Sequence, residues 1–319
     1  MHKLLTRLSV LLVLQVMLVL GIFIYSQSAR SNIESKSLLT FDTSKLSKVV
    51  LESMDDKVAL RKNGSNWEIV EPYVLPIDSS KVDPLLEKLG SIEVGWPVTT
   101  SSRSHERFEV DTNTFQRKIQ VYEEDKLVNE LYLGSSPGFK KAHARLKDEN
   151  DVYDPALNVY DFPTRANDWL SKKLLALEEC SLIKSSDYEL TKSDEQWKFS
   201  SSDNVLPLPE INTENVDKLV EAITSLRVTG IATETPDFTA EDTVALNVKG
   251  QEDYIYQFLK EDNSYWVTRN DYDLSFTLTS TEYAKIADIK LSNLTIETVE
   301  EVPENETAPP AETSPPVDE

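Results

Sequence analysis

The sequence predicts an α+β fold: two tandem repeats of a β-hairpin plus an amphipathic helix with antiparallel meander strands, after one N-terminal transmembrane helix. Three observations carry that prediction. A long run near the N-terminus holds no charge, apolar residues alternate around short polar turns, and one strand–turn–strand–helix pattern occurs twice in the same order. A chain of 319 residues is long enough for two domains that each bury a core.

From Leu8 to Tyr25 no side chain is charged, and Ser9 and Gln15 are the clearly polar members. As a helix this run would span about 27 Å, close to the hydrocarbon thickness of a bilayer. His2, Lys3 and Arg7 precede it, so the positive-inside rule keeps the N-terminus in the cytoplasm and sends the remainder outward. A cleaved signal peptide, cut after Ser28, is the competing reading. Its apolar core would be longer than the roughly 7–15 residues that signal peptides use. Both readings export the body.

The first copy of the repeat runs over 57–76 and continues over 82–94 as an amphipathic helix and a strand; the second runs over 187–209 and continues likewise over 216–228, with Ile92 and Val94 matching Leu226 and Val228. Val58, Leu60 and Trp67 match Tyr188, Leu190 and Trp197 at one spacing. Val82, Asp83, Leu85, Leu86, Glu87 and Leu89 match Val216, Asp217, Leu219, Val220, Glu221 and Ile223 at a slightly longer one. Alternation at Val58/Leu60 and Trp67/Ile69 has the period of a half-buried strand, and Asn63-Gly64 between them signals a hairpin. Val82, Leu85, Leu86 and Leu89 fall on one helix face. Asp78 or Ser79, and Asn212 or Thr213, stand where an N-cap is needed. Trp67 and Trp197 at equivalent strand positions are expected to plug the cores of their units.

Further strands are expected at 118–122, 128–133 and 142–146 in the first unit, and at 253–259, 265–269 and 276–278 in the second. A helix over Asp168–Leu175 is expected to join the units. Beyond Thr298 the chain is rich in Pro, Glu and Thr without apolar periodicity, the composition of a disordered tail. The expected organisation is a cytoplasmic stub and anchor over 1–30, repeats over 40–165 and 166–296, and an acidic tail over 297–319.

Composition excludes several classes of function. The formal net charge of −22 repels nucleic-acid phosphates and anionic headgroups, so no nucleic-acid partner is expected. Cys180 is the only cysteine, which rules out an intrachain disulfide, a thiolate zinc cluster and an iron–sulfur site; it reads as a small apolar strand residue. Of the three histidines, His2 precedes the anchor, His105 lies in a polar run that reads as a solvated loop, and His143 lies in a strand-like segment. Neither body histidine accompanies a nucleophile elbow. Gly90 and Gly95 have phosphate-loop spacing, but Trp96 stands where lysine is required. The acidic stretch Asp148–Asp154 has Tyr153 and Val159 where a calcium loop needs Gly and Glu, and reads as a turn. No catalytic, cofactor-binding or metal-binding residue is assigned, and no enzyme is expected.

The hairpin ending Trp67-Glu68-Ile69-Val70-Glu71-Pro72, the Val82–Leu89 helix after it, and Asp168-Trp169-Leu170 resemble the bacterial family catalogued as domain of unknown function 4340, over about residues 40–290. Ser202 stands where that pattern has proline. The resemblance implies a single-pass protein of the bacterial inner membrane, its body in the periplasm or extracytoplasmic space. It further implies an accessory or scaffold role beside ABC transporters of the gliding-motility type, with transporter components as membrane-protein partners. Alternatives are a periplasmic module binding a glycan or peptide between the two units and, further off, a carboxylate-based hydrolase.

Overall fold

The computed structural model describes residues 12, 14–22, 35–200 and 209–296. Residues 14–22 are helical and exposed. Among the described residues no helix is long and apolar enough to cross a membrane. The rest of the expected anchor lies outside the described residues, as do the expected tail over 297–319 and the stretch holding Ser202. The body is α+β, its sheets antiparallel and its helices few and short. It divides into two compact units between Leu174 and Leu175.

The first unit opens with β1 (Lys36–Ser37), β2 (Leu46–Glu52), β3 (Lys57–Asn63), β4 (Asn66–Glu71) and β5 (Leu75–Pro76). Gly64 turns the β3–β4 hairpin at φ +61°, a backbone region in which glycine carries no Cβ penalty. A short 3₁₀ turn capped by Asp78, whose side chain accepts from the Ser80 amide, leads into α1 (Val82–Gly90). Val82, Leu85 and Leu89 are buried on that helix, as its periodicity predicts. Then come β6 (Glu93–Val94), β7 (Arg117–Glu123), β8 (Lys126–Leu133), β9 (Ala144–Leu146) and the single turn α2 (Ala166–Trp169). Seven strands form one sheet in the order β5-β4-β3-β2-β7-β8-β9, while β1 pairs with β6.

The second unit contains β10 (Leu182–Lys184), β11 (Glu189–Ser193), β12 (Gln196–Phe199), α3 (Thr213–Thr224), β13 (Gly230–Ile231), β14 (Val244–Lys249), β15 (Asp253–Glu261), β16 (Ser264–Arg269) and β17 (Ser275–Thr277). It closes with α4 (Ser280–Ala284) and α5 (Leu291–Leu294). Asn212 caps α3 by accepting from the Asn215 amide, and Val216, Leu219 and Ile223 are buried on its inner face. The sheet order is β12-β11-β10-β14-β15-β16-β17-β13. Six strands of this order, β12 through β16, have the connectivity of β4-β3-β2-β7-β8-β9 in the first unit.

Several expectations need correction. The helix over Asp168–Leu175 stops at Trp169, because Leu170 bridges to Ile77 and the Ser171 amide donates to Pro76 O at 2.9 Å. Those bonds take the backbone groups that a continuing helix would use. Strands β2, β10 and β14 were not anticipated, yet β2 and β10 sit mid-sheet and join the two halves of their units. Trp197 is buried, but Trp67 is only half-buried on the same hairpin position. Each faces a lysine, Lys62 or Lys192, across its hairpin.

Candidate functional site

Buried polar and charged side chains concentrate at one end of the first unit: His105, Glu130, His143 and Arg145. β8 and β9 set Tyr132 directly opposite Arg145. The guanidinium lies 4.9 Å from the centre of the Tyr132 ring, and its Nε donates to Val110 O at 2.7 Å. Its Nη1 donates to the carbonyls of Leu146, Lys147 and Glu149 at 3.0, 2.8 and 3.2 Å. Arg145 thus spends its donors on the backbone of two loops, which its planar fork suits better than an ammonium would.

Glu130 sits beside it and accepts from Tyr132 Oη at 2.5 Å, Gln120 Nε2 at 2.9 Å and Lys147 Nζ at 3.2 Å. Burial works to raise the Glu130 carboxyl, but these donors outweigh it and hold it below the ordinary carboxylate value. Burial and the Glu130 carboxylate together push the Tyr132 phenol up. The group is therefore an anchored carboxylate rather than a proton-exchanging acid.

Gly134 follows β8 where the loop over 101–110 crosses the chain. A Cβ there would run into the carbonyl oxygens of Phe108 and Glu109, so only glycine admits the crossing. The next residue fastens it: the Ser135 amide and hydroxyl both donate to Phe108 O, at 3.0 and 3.1 Å. His143 stacks against Phe108 with ring centres 4.3 Å apart, and its Nδ1 lies 3.2 Å from Ser135 Oγ. The same hydroxyl thus touches both Phe108 O and the His143 ring nitrogen. Burial pushes the His143 imidazole below its usual value, outweighing a hydrogen bond with the Ser135 backbone and the Asp154 charge. His105 is buried, not solvated as its polar neighbours suggested, with Nε2 2.9 Å from Asn150 O. Its ring ties the loop to the acidic turn 148–151, where Glu149 and Asn150 offer backbone carbonyls rather than side chains.

The second unit repeats the central pair. Tyr256 on β15 faces Arg269 on β16, with the guanidinium 5.6 Å from the ring centre. Arg269 Nη1 donates to Leu175 O at 3.0 Å and to Tyr256 Oη at 3.2 Å, and Tyr256 Oη donates to Leu175 O at 2.7 Å. Burial drives the Tyr256 phenol up to about 12. The sequence carries this pair as Tyr and Arg thirteen residues apart in both units, at a spacing different from that of the hairpin match. The one signal for it in the sequence is that shared spacing.

Trp67 through Gly250 match the family described as Domain of unknown function (DUF4340). The chain belongs to this family. The match covers more than half of the chain and takes in β4, both longer helices, the Asp168–Leu170 segment and β14, ending before β15–β17. No curated protein and no solved structure matches the chain.

The remaining candidates are placed as follows. Cys180 is buried just before β10, and burial raises its thiol to about 11, so it is held as an unreactive thiol. Gly90 ends α1, and Gly95 precedes the exposed Trp96. No group of three or more His, Cys, Asp or Glu side chains is arranged to hold a metal among the described residues. In the second unit a hollow of about 440 Å³ lies beside α3, lined by Lys218, Leu219, Ala222, Lys285, Ile289 and Asn293. Its lysines are engaged by Glu214 at 2.6 Å and Glu282 at 3.3 Å.

Proposed function

We propose that this protein is a membrane-anchored, extracytoplasmic accessory subunit that holds a partner in a membrane assembly, of the ABC-transport class that the family resemblance implies. The observation carrying this reading is the uncharged run Leu8–Tyr25 behind Lys3 and Arg7. A tether confines the body to a thin layer beside the bilayer and raises its effective concentration for membrane neighbours, so a weak interface suffices. The engagement of Arg145, Glu130, His143 and Arg269 with their own loops supports a holding role over a converting one. The shared strand connectivity, the matching tryptophans and the paired Tyr–Arg contacts support a duplicated unit.

The experiment is crosslinking and pull-down of the intact chain from membranes, beside the same chain cut after Ser28. Anchored protein should recover a membrane partner that the cut body recovers far less, while deleting 298–319 should leave recovery nearly unchanged. The reading is overturned if a tag after Glu319 is reachable only from the cytoplasm. Substrate turnover by the purified body, abolished by substituting one acidic pair, would overturn it too. The hollow beside α3 favours a second reading, a glycan- or peptide-binding module; filling it with Ser225→Trp, at an exposed lining position, separates the two, since only ligand binding should suffer.

A further inference from the structure

The chain enters the first unit through β1, and several exposed apolar side chains branch from the segments that surround that entry. Lys36 pairs with Val94 on β6, and its ammonium lies 5.3 Å from the centre of the Tyr153 ring. Two residues past Val94 comes Trp96, which is 75% exposed, and then Val98, 48% exposed. The Val98 amide donates to Val152 O at 2.7 Å, and Thr99 bridges to Val152, so this stretch is stitched to the residue before Tyr153. On the other side Tyr153 pairs with Ala144, and Asp154 holds Lys141 at 2.6 Å. Lys141 closes a turn on Gly138, and Phe139 stands in that turn 89% exposed, with the Lys140 ammonium 5.3 Å from its ring centre. Three large apolar side chains thus branch from the segments that converge on Tyr153, beside the point where the N-terminal segment joins the body.

Exposed apolar clusters on soluble surfaces mark contact sites. Tryptophan and phenylalanine, one end apolar and the neighbourhood wet and cationic, suit the headgroup region of a bilayer. The covalent reach is short: from Tyr25, the end of the uncharged run, to Lys36 the chain spans at most about 40 Å however it runs. The bonds that fix Trp96-Pro97-Val98 and the Phe139 turn are backbone pairings and an ion pair, so both are presented as fixed projections.

We infer that this end of the first unit rests on the bilayer, with Trp96, Val98 and Phe139 seated among the lipid headgroups as a second contact beyond the tether. The inference rests on the proposed anchor. The occupant is a lipid surface, and the net charge of −22 makes zwitterionic lipid the appropriate probe, since aromatic insertion rather than cation attraction carries the contact.

The test uses the full chain reconstituted in phosphatidylcholine vesicles whose acyl chains carry bromine near the headgroup, a short-range quencher of tryptophan emission. Trp96 emission should be quenched, so the bromine-dependent loss should disappear in Trp96→Phe and return when Phe139→Trp is added to that variant. Both side chains are exposed, so neither change disturbs the core. Retention after an alkaline carbonate wash reads the anchor separately. Retained protein with quenched Trp96 supports the inference. Retained protein with unquenched Trp96 overturns it, leaves the anchor standing and frees the patch for a protein partner. Protein lost in the wash yet quenched beforehand removes the anchor and keeps the lipid contact. Loss with no quenching overturns both.

Discussion

Arg269 grips Asp271 through two hydrogen bonds, Nε to Oδ1 at 2.6 Å and Nη2 to Oδ2 at 2.7 Å. The guanidinium is buried among the rings of Tyr254, Tyr256 and Tyr272, and the carboxylate is about one-third exposed. The fork geometry closes β16 onto the turn after it and leaves Nη1 to reach Leu175 O, at the start of the unit. Removing the side chain takes both donors from the Asp271 carboxylate and empties the space among the three rings, while Tyr256 Oη keeps its bond to Leu175 O. Arg269→Ala should therefore cost about 3 kcal/mol, the low end for breaking a buried pair because Asp271 is partly solvated. Arg269→Lys should recover less than half of that, since an ammonium cannot serve three directions in one plane. Denaturant unfolding checks both.

Trp67 and Trp197 occupy one hairpin position with unequal burial, so their truncations should differ. Trp197→Ala should cost roughly 3–5 kcal/mol, the range for emptying a core aromatic site. Trp67→Ala should cost no more than about half as much, because part of that ring is already in water. Equal losses in unfolding midpoints would mean that hairpin position, not burial, sets the effect.

The Tyr188 hydroxyl is buried and has no hydrogen-bond partner among the described residues, and burial drives its phenol well above the ordinary value. Its counterpart in the first unit is the aliphatic Val58. An unsatisfied buried hydroxyl costs about 1–3 kcal/mol of desolvation. Tyr188→Phe should raise the unfolding midpoint, by an amount equivalent to about 1 kcal/mol. A lower midpoint would reveal a partner for the hydroxyl.

Gly134→Ala should be among the most damaging single changes in the first unit. The added methyl meets two backbone carbonyls, which cannot rotate away as a side chain would. The loop over 101–110 must lift, taking with it the Ser135–Phe108 bonds. A loss of about 3 kcal/mol is expected, the upper end for overpacking, and amide exchange should show the loop over 101–110 opening first.

His143 makes stability pH-dependent with a defined sign. Burial lowers its folded value below that of the unfolded chain, so below pH about 6.5 the unfolded state binds the additional proton. Stability is therefore full above that pH and falls as pH drops from about 6.5 toward the depressed folded value. Glu130, lowered in the folded state, adds a second loss further down, below the ordinary carboxylate value of about 4.5. Unfolding midpoints measured from pH 7.5 to 3 should decline in two limbs, and His143→Phe should flatten the upper one while leaving the lower one.

The parts of the fold legible in the sequence are those with local signatures. Asn63-Gly64 announces its hairpin because glycine takes the positive φ the turn requires. The second hairpin turns differently, with both Asp194 and Glu195 at positive φ, +51° and +63°, and those residue types give no such signal. The faces of α1 and α3 follow from i, i+3, i+4 spacing. β2 escaped because Val49, Val50 and Leu51 are all buried, which erases the alternation that marks a half-buried strand. His105 and His143 escaped because their burial is set by partners 45 and 8 residues distant, Asn150 and Ser135. The Asp168–Leu175 segment misled in the opposite direction: its apolar spacing is helical, but tertiary bonds to Pro76 and Ile77 claim its backbone.

The position of β2 and β10 in mid-sheet has a kinetic consequence. Leu51 pairs with Ile119 and Ile183 with Val248, closures over roughly 65 residues in each unit. The hairpin and helix can form early from near neighbours, but the sheet halves cannot join until the distant strand is available. Until then each opening strand presents one side with unpaired amides and carbonyls, the state most exposed to mispairing. Each unit should therefore fold slowly for its size, and a chain emerging from its N-terminus would complete the first sheet before the second has begun.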